Sequence, residues 1–295
     1  MPSLPRLKSR KIKVNGISLN VIIEGKGPVV MLVHGFPDSH QVWRHQIPAL
    51  VNAGYQVIAP DLRGFGESDA PVGKDRYKVA NFVSDLIAIL DQLNIDKVRL
   101  VGHDWGAVCT WALTIAHPER VERFVPMSVG HPEAYPRGGL AQKVKGYYVL
   151  ICASPLGESF LKLFNWKMFD LVTHYPAEAQ LWKSELSRPG RLEAAIGIYR
   201  DNLSLIFPKK YPRVKVPTMG IWSSADHALA RKQMVISGEY VDASWRYEEI
   251  RGAGHWLQLE TPEKVNSLLL DYLKHSTENS LISKPTKHTY RTSHN

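Results

Sequence analysis

Only two cysteines occur among the 295 residues, Cys109 and Cys152. They lack metal-ligand spacing, and two cysteines make no disulfide framework, so neither a zinc site nor a stapled scaffold is expected. Cys109 reads as a small buried apolar residue. No apolar run approaches the ~20 residues that a membrane-spanning helix needs. The N-terminus is basic but has no apolar segment behind it, so it does not read as a secretory signal. A glycine-rich dinucleotide fingerprint after a strand and a phosphate-binding loop are both missing, so no cofactor is expected. No internal repeat is present. Acidic residues are scarce at the two ends. Residues 1–13 hold five basic side chains and no acid, residues 276–295 hold three against Glu278, and together they supply seven of the net charge of +9. The body is close to neutral, which argues against a nucleic-acid groove. The expectation is a cytoplasmic protein without a membrane span, a monomer or homodimer, with solvated basic tails.

What is present is a regular alternation. Hydrophobic residues make up 44% of the chain and charged residues 22%, ordinary for a globular protein. Asn15-Gly16 between two alternating runs predicts a hairpin. Apolar runs predict strands over residues 29–33, 56–59, 98–101, 121–127 and 217–222, and an alternating one over 244–250. Helical spacing predicts helices over 41–53, closed by Gly54, over 79–93 through Val79, Phe82, Val83, Leu86, Leu90 and Leu93, and over 107–117, 231–240 and 262–274. Strands alternating with helices imply a mostly parallel sheet covered on both faces. The rhythm stops between residues 131 and 213, which are aromatic-rich and lack a buried-strand run. The expected organisation is an α/β core over 1–130 and 214–275, a helical cap over 131–213 inserted after the sixth strand, and a disordered tail over 276–295.

The chemistry-bearing residues fall at predicted strand ends, where open parallel sheets place their ligands. Gly102-His103-Asp104-Trp105-Gly106 lies between a strand and a helix, the setting of a nucleophile elbow, with Asp104 where such elbows usually carry serine. Asp226 follows the 217–222 strand, and His255 follows the next within Gly254-His255-Trp256. Singly, Asp104 and Asp226 read as helix caps. Nucleophile, acid and histidine in that order, on correctly placed strands, point instead to covalent catalysis by a carboxylate.

These residues resemble the α/β-hydrolase superfamily over residues 12–275, and among its members the epoxide hydrolases. The matching stretches are His34-Gly35-Phe36-Pro37, Val42-Trp43-Arg44-His45-Gln46-Ile47-Pro48, Asp61-Leu62-Arg63-Gly64-Phe65-Gly66-Glu67-Ser68, the Asp104 elbow and Gly254-His255-Trp256. The resemblance implies that Asp104 attacks an epoxide carbon, that His255 with Asp226 activates the water that hydrolyses the ester, and that backbone N–H groups of Phe36 and Trp105 form the oxyanion hole. It also implies two lid tyrosines that donate to the epoxide oxygen. Tyr148 lies seven residues before Pro155, with Tyr147 as a neighbouring rival, and Tyr199 lies in Ile198-Tyr199-Arg200-Asp201-Asn202. Phe36, Trp105, Tyr148, Tyr199 and Trp256 are expected to contact substrate. Leu140, Leu150, Phe160, Phe164, Phe169 and Trp182 suggest an apolar lid tunnel, hence a small apolar epoxide as substrate, with water as its partner. Two alternatives stay open. One is a haloalkane dehalogenase that uses Asp104, with Trp105 as a halide donor and Trp166 or Trp182 as the second. The other is a hydrolase-fold protein that only binds a ligand.

Overall fold

The structure, a computed structural model, describes residues 7–274. The polar tail expected over 276–295 therefore lies outside the described residues, as do Arg6 and the rest of residues 1–6. The chain opens with strands β1 (Ser9–Val14) and β2 (Ile17–Glu24), paired antiparallel with Val14 opposite Ile17. Asn15 and Gly16 carry φ of 50° and 77°, the two positive values that a two-residue hairpin turn demands. Next come β3 (Val29–Val33), α1 (Gln46–Asn52), β4 (Gln56–Pro60), α2 (Val79–Gln92), β5 (Val98–His103), α3 (Trp105–Ala116) and β6 (Val121–Met127). Five helices follow without a strand: α4 (Gly139–Lys145), α5 (Tyr147–Ala153), α6 (Gly157–Thr173), α7 (Pro176–Leu186) and α8 (Arg191–Asp201). The alternation then resumes with β7 (Thr218–Ser223), α9 (Arg231–Val235), β8 (Trp245–Ile250), α10 (Leu257–Glu260) and α11 (Pro262–Leu273). This is the mostly parallel α/β architecture expected.

All eight strands form one sheet in the order β1-β2-β4-β3-β5-β6-β7-β8. β2 pairs antiparallel with β4, and every pairing from β4 through β8 is parallel. The central strands are buried throughout: Val30, Met31, Leu32, Val33, Leu100 and Val101 expose 1% or less, as a parallel sheet covered on both faces requires. A single large apolar cluster runs from the sheet into the helices between β6 and β7. No helix among the described residues is long and apolar enough to cross a membrane.

Two helices expected as continuous are divided. Residues 41–53 form a 3-10 turn, His40–Trp43, followed by α1. Pro48 explains the break: it has no N–H to give the Arg44 carbonyl, so it sits in the first turn of a new helix instead. Residues 231–240 form α9 and then a 3-10 segment, Ile236–Tyr240. Tightening of the last turn is a common helix ending, and here Gly238 lies against the Trp245 ring, where a Cβ would come within 2.6 Å. Helix α6 is also interrupted, by non-helical backbone at Leu163, Phe164, Asn165 and Trp166.

The helices between β6 and β7 are tied down on the core. Asn202, just beyond α8, accepts from Val79 N–H at 2.9 Å and donates to the Tyr77 carbonyl at 2.7 Å. Arg44 forms a bidentate pair with Glu178 of α7. The Lys145 ammonium, at the end of α4, donates to the Asp226 carbonyl.

Candidate active site

Sheet register brings Asp104 and the backbone of Phe36 together. β3 pairs with β5 so that Val33 lies opposite Gly102. The residues two and three places beyond this pair therefore leave the sheet side by side: Gly35 and Phe36 after β3, Asp104 and Trp105 after β5. Asp104 takes φ 52° and ψ −125°, outside the regions that an L residue prefers. Such strain belongs to tight functional turns, and here it lifts the carboxylate off the strand end and starts α3. Gly106 makes the turn possible, because a Cβ there would lie 2.1 Å from the Val33 carbonyl oxygen.

Asp104 Oδ1 accepts from Phe36 N–H at 2.9 Å, and the Trp105 backbone N–H lies beside the same carboxylate. Its other oxygen, Oδ2, lies 3.5 Å from His255 Nε2. Burial raises the carboxyl, but the hydrogen bond and charge of His255 and the backbone donor at Trp105 outweigh it, and the pKa is lowered. Asp104 is thus an anion with one oxygen anchored and one directed into the site. Gly35 is an obligatory neighbour: a Cβ on it would fall 2.4 Å from Asp104 Oδ1 and 2.7 Å from Trp105 N. Gly35→Ala is expected to lower kcat about 100-fold, the scale for loss of one oxyanion donor. Steady-state kinetics on a variant whose thermal melt matches the parent tests this, and unchanged kcat would contradict it.

Asp226 and His255 meet because β7 and β8 are neighbours, with Ser223 opposite Ile250 and Ala225 N–H donating to the Ala253 carbonyl at 3.0 Å. His255 Nδ1 donates to Asp226 Oδ2 at 3.0 Å. Asp226 Oδ1 accepts from Ala228 N–H at 2.8 Å and Leu229 N–H at 2.9 Å, so the acid cannot swing away. Burial pushes the imidazole down, but the charge of Asp226 and hydrogen bonds to both carboxylates raise it to about 10.

The structure gathers the remaining expected residues around this triad. Tyr199 on α8 packs edge-on against Phe36 at 5.3 Å, Trp105 at 5.0 Å and Tyr148 at 6.1 Å between ring centres. Tyr148 on α5 and Tyr199 line the same cavity as Asp104, whereas the Tyr147 ring is about half exposed. Burial holds both phenols well above their ordinary pKa, with the Asp104 charge adding to the effect, so both keep their protons. Trp256 lines the cavity beside His255, the two rings meeting edge-on at 4.9 Å. The six apolar lid residues suggest a tunnel without showing which of them line it, and none of them lines the cavity at Asp104. Leu140, Leu150 and Phe164 point to solvent, Phe169 is packed beneath Phe36, Trp182 is packed against Trp256, and Phe160 is only partly buried against the core. The reason is that the lid helices carry apolar residues on more than one face, and composition does not say which face meets the core.

Four further residues support the triad without having been expected to. Asp38 accepts from the Trp182 indole at 3.0 Å and the Trp256 indole at 2.9 Å, tying the loop after β3 to the lid and to the histidine loop. Burial pushes its carboxyl up to about 7 despite these donors. His103 Nε2 donates to the His255 carbonyl at 2.9 Å, and its Nδ1 accepts from Gln258 at 3.1 Å. Burial lowers His103 to about 4, so it braces the histidine loop as a neutral ring. His227, directly after Asp226, lies 5.7 Å from His255 between ring centres. Asp38 follows the His34–Pro37 stretch directly, and His103 stands inside the elbow string, so position relative to these motifs was the available signal. His34 shapes the same loop: its Nε2 accepts from Leu62 N–H at 2.9 Å and its Nδ1 donates to the Gly35 carbonyl at 2.8 Å. Among the described residues no group of three or more His, Cys, Asp or Glu side chains could hold a metal ion.

With this geometry in view, similarity to known proteins can be stated. The α/β hydrolase fold family model matches residues 28–262. The chain is 34% identical over 283 residues to epoxide hydrolase 3 of Xenopus tropicalis, covering 90% of this chain and 77% of that one. It is 32% identical over 285 residues to the AB hydrolase superfamily protein YfhM of Bacillus subtilis, covering 91% and 98% respectively. The crystal structure of epoxide hydrolase A from Mycobacterium thermoresistibile superposes with a TM-score of 0.76 at 28% identity, covering 91% of this chain and 98% of the other.

Proposed function

Because this chain belongs to the α/β-hydrolase fold family and, within it, to the epoxide hydrolases, we propose that it hydrolyses an epoxide to a vicinal diol through an ester on Asp104. The observation that carries this reading is one cavity that holds the Asp104 carboxylate together with the Tyr148 and Tyr199 phenols. A carboxylate needs no proton removed before it attacks a saturated, strained carbon. Asp104 Oδ2 bonds to the carbon as the C–O bond of the ring breaks, and the electron pair goes to the ring oxygen. That alkoxide takes a proton from the tyrosine pair, whose O–H groups stabilise it as charge develops.

The second step uses the other half of the site. His255 removes a proton from water, with Asp226 holding its ring and balancing the charge. The hydroxide attacks the Asp104 carboxyl carbon. Oδ1, already bound to the Phe36 N–H, becomes the oxyanion, with the neighbouring Trp105 N–H as its second donor. Collapse breaks the ester C–O bond and expels the diol oxygen, the former Oδ2, as an alkoxide; the proton on His255 and the proton of the new Asp104 hydroxyl go one to this alkoxide and one to the phenolate. Epoxide and water are consumed and Asp104 is regenerated. His255 acts on water only, because the nucleophile is already ionised.

The arrangement favours an epoxide over an alkyl halide at one point. An alkoxide leaving group needs a proton donor whereas a halide does not, and the Tyr148 and Tyr199 phenols lining the cavity with Asp104 are such donors. A binding module would have no need of a carboxylate, a paired imidazole and two phenols converging on one cavity. Assay of 1,2-epoxyhexane beside 1-bromohexane tests the proposal. Diol from the first and no bromide from the second is the expected result, and bromide release without diol would overturn it.

A further inference from the structure

The cavity at Asp104 has two unequal arms, which meet at Asp104, Tyr148 and Tyr199. The long arm encloses about 820 Å³ of empty space, counting its open end. Its walls are aliphatic and aromatic, with Val108, Val129, Val149, Leu205 and Ile206 prominent. Its one amide, Asn202, is fully engaged, accepting from Val79 N–H and donating to the Tyr77 and Ile198 carbonyls, so the wall offers no spare donor there. The short arm encloses about 280 Å³ and runs past His255 to Val172, Thr173 and His227. This end carries polar side chains. The His227 ring packs on His174 at 4.6 Å. Burial lowers His227 to about 4, so it stands there as a neutral ring. Thr173 Oγ1 donates to the Phe169 carbonyl at 3.0 Å.

Resting on the epoxide-hydrolase reading, we infer that the substrate is an epoxide substituted at one carbon by a long apolar group and bare or methyl-bearing at the other. The ring sits at the junction, where Asp104 faces the phenols. The long substituent fills the aliphatic arm, where each methylene leaves water, and the second carbon faces the short arm. A second long substituent would have to enter the smaller arm, push His227 off His174 and desolvate polar edges without replacing their hydrogen bonds, which is costly. His227 and Thr173 are therefore specificity-determining residues.

Two isomers of equal hydrophobicity provide the test, 1,2-epoxydecane and 5,6-epoxydecane. Purified full-length protein is expected to favour the first by about 10-fold or more in kcat/KM, and kcat/KM is expected to rise about fourfold per methylene from 1,2-epoxybutane to 1,2-epoxyhexane. His227→Ala is expected to shrink the isomer preference by raising the rate on 5,6-epoxydecane. Leu205→Trp, which obstructs the long arm, is expected to lower the rate on 1,2-epoxydecane at least about 10-fold more than the rate on propylene oxide. Equal rates on the two decanes, or an isomer preference insensitive to both variants, would overturn the inference and leave the epoxide-hydrolase reading intact. Failure to form diol from any of these epoxides, with no covalent adduct on Asp104, would overturn both.

Discussion

His255→Gln is expected to form the Asp104 ester at close to the parent rate and to hydrolyse it about 10³-fold more slowly, within the usual range for loss of a general base. The reason lies in the division of labour around one carboxyl group. Attack needs only the ionised Asp104, whose Oδ1 is anchored by Phe36 N–H at 2.9 Å independently of the imidazole. Water activation needs the His255 ring. Intact-protein mass spectrometry after mixing with an epoxide should show an adduct of the substrate's mass that persists in the variant, and absence of that adduct would sink the division of steps.

The same pair explains how an imidazole raised to about 10 can serve as a base near neutral pH. That elevation depends on two carboxylates, Asp226 and Asp104. Esterification turns Asp104 into a neutral group and removes one of them, so the imidazole pKa falls only after the first step has occurred. The sign is definite: a His pKa raised by an anion drops when the anion is neutralised, and the neutral base is then populated at lower pH. Ester formation is expected to persist down to the range where Asp104 protonates, below the ordinary carboxylate value. Ester hydrolysis is expected to rise with pH and level off with an apparent pKa below 10. Single-turnover kinetics across pH measures both limbs, and a hydrolysis limb at 10 or above would contradict the coupling.

The double variant Tyr148→Phe/Tyr199→Phe is expected to lower the rate of ester formation by about 10³-fold or more, since each donor to a developing oxyanion is typically worth roughly 10²–10³. Both rings line the cavity beside Asp104, and burial together with the Asp104 charge keeps both phenols protonated. The single variants should be unequal. Tyr199 is packed edge-on by both Phe36 and Trp105, so its ring is the more firmly held of the two, and Tyr199→Phe should cost more than Tyr148→Phe. Stopped-flow traces separate the steps. A double variant slowed only in ester hydrolysis would remove both tyrosines from the first step.

The legible part of this site is the part encoded locally. A strand, a glycine-flanked turn and a helix are neighbours in sequence, so the Asp104 elbow is visible as a string, and Asp226 and His255 likewise come within a few residues of legible strands. The parallel sheet was legible because central strands such as Val29–Val33 are buried on both faces and so are apolar, whereas β8 at the edge alternates. Asp38 shows where such reading stops. Its partners Trp182 and Trp256 lie 144 and 218 residues away, and nothing in Pro37-Asp38-Ser39 announces two indoles. The lid fails for a related reason. Leu140 and Phe164 look like tunnel residues by composition yet face solvent, while Val149 and Ile206 line the cavity, because helix rotation is set by tertiary packing. The division of residues 41–53 was readable in principle, since Pro48 marks it.

The covalent ester on Asp104 is the central claim, and the fate of oxygen in one turnover tests it most directly. Enzyme in excess over an epoxide is allowed a single turnover in ¹⁸O-water, and the diol and the peptide that contains Asp104 are both weighed. The account predicts unlabelled diol and one ¹⁸O in the Asp104 carboxylate, because water attacks the ester carbonyl and the diol leaves with the former Oδ2. Label in the diol, with none in Asp104, would mean that water attacks the epoxide directly and would contradict it.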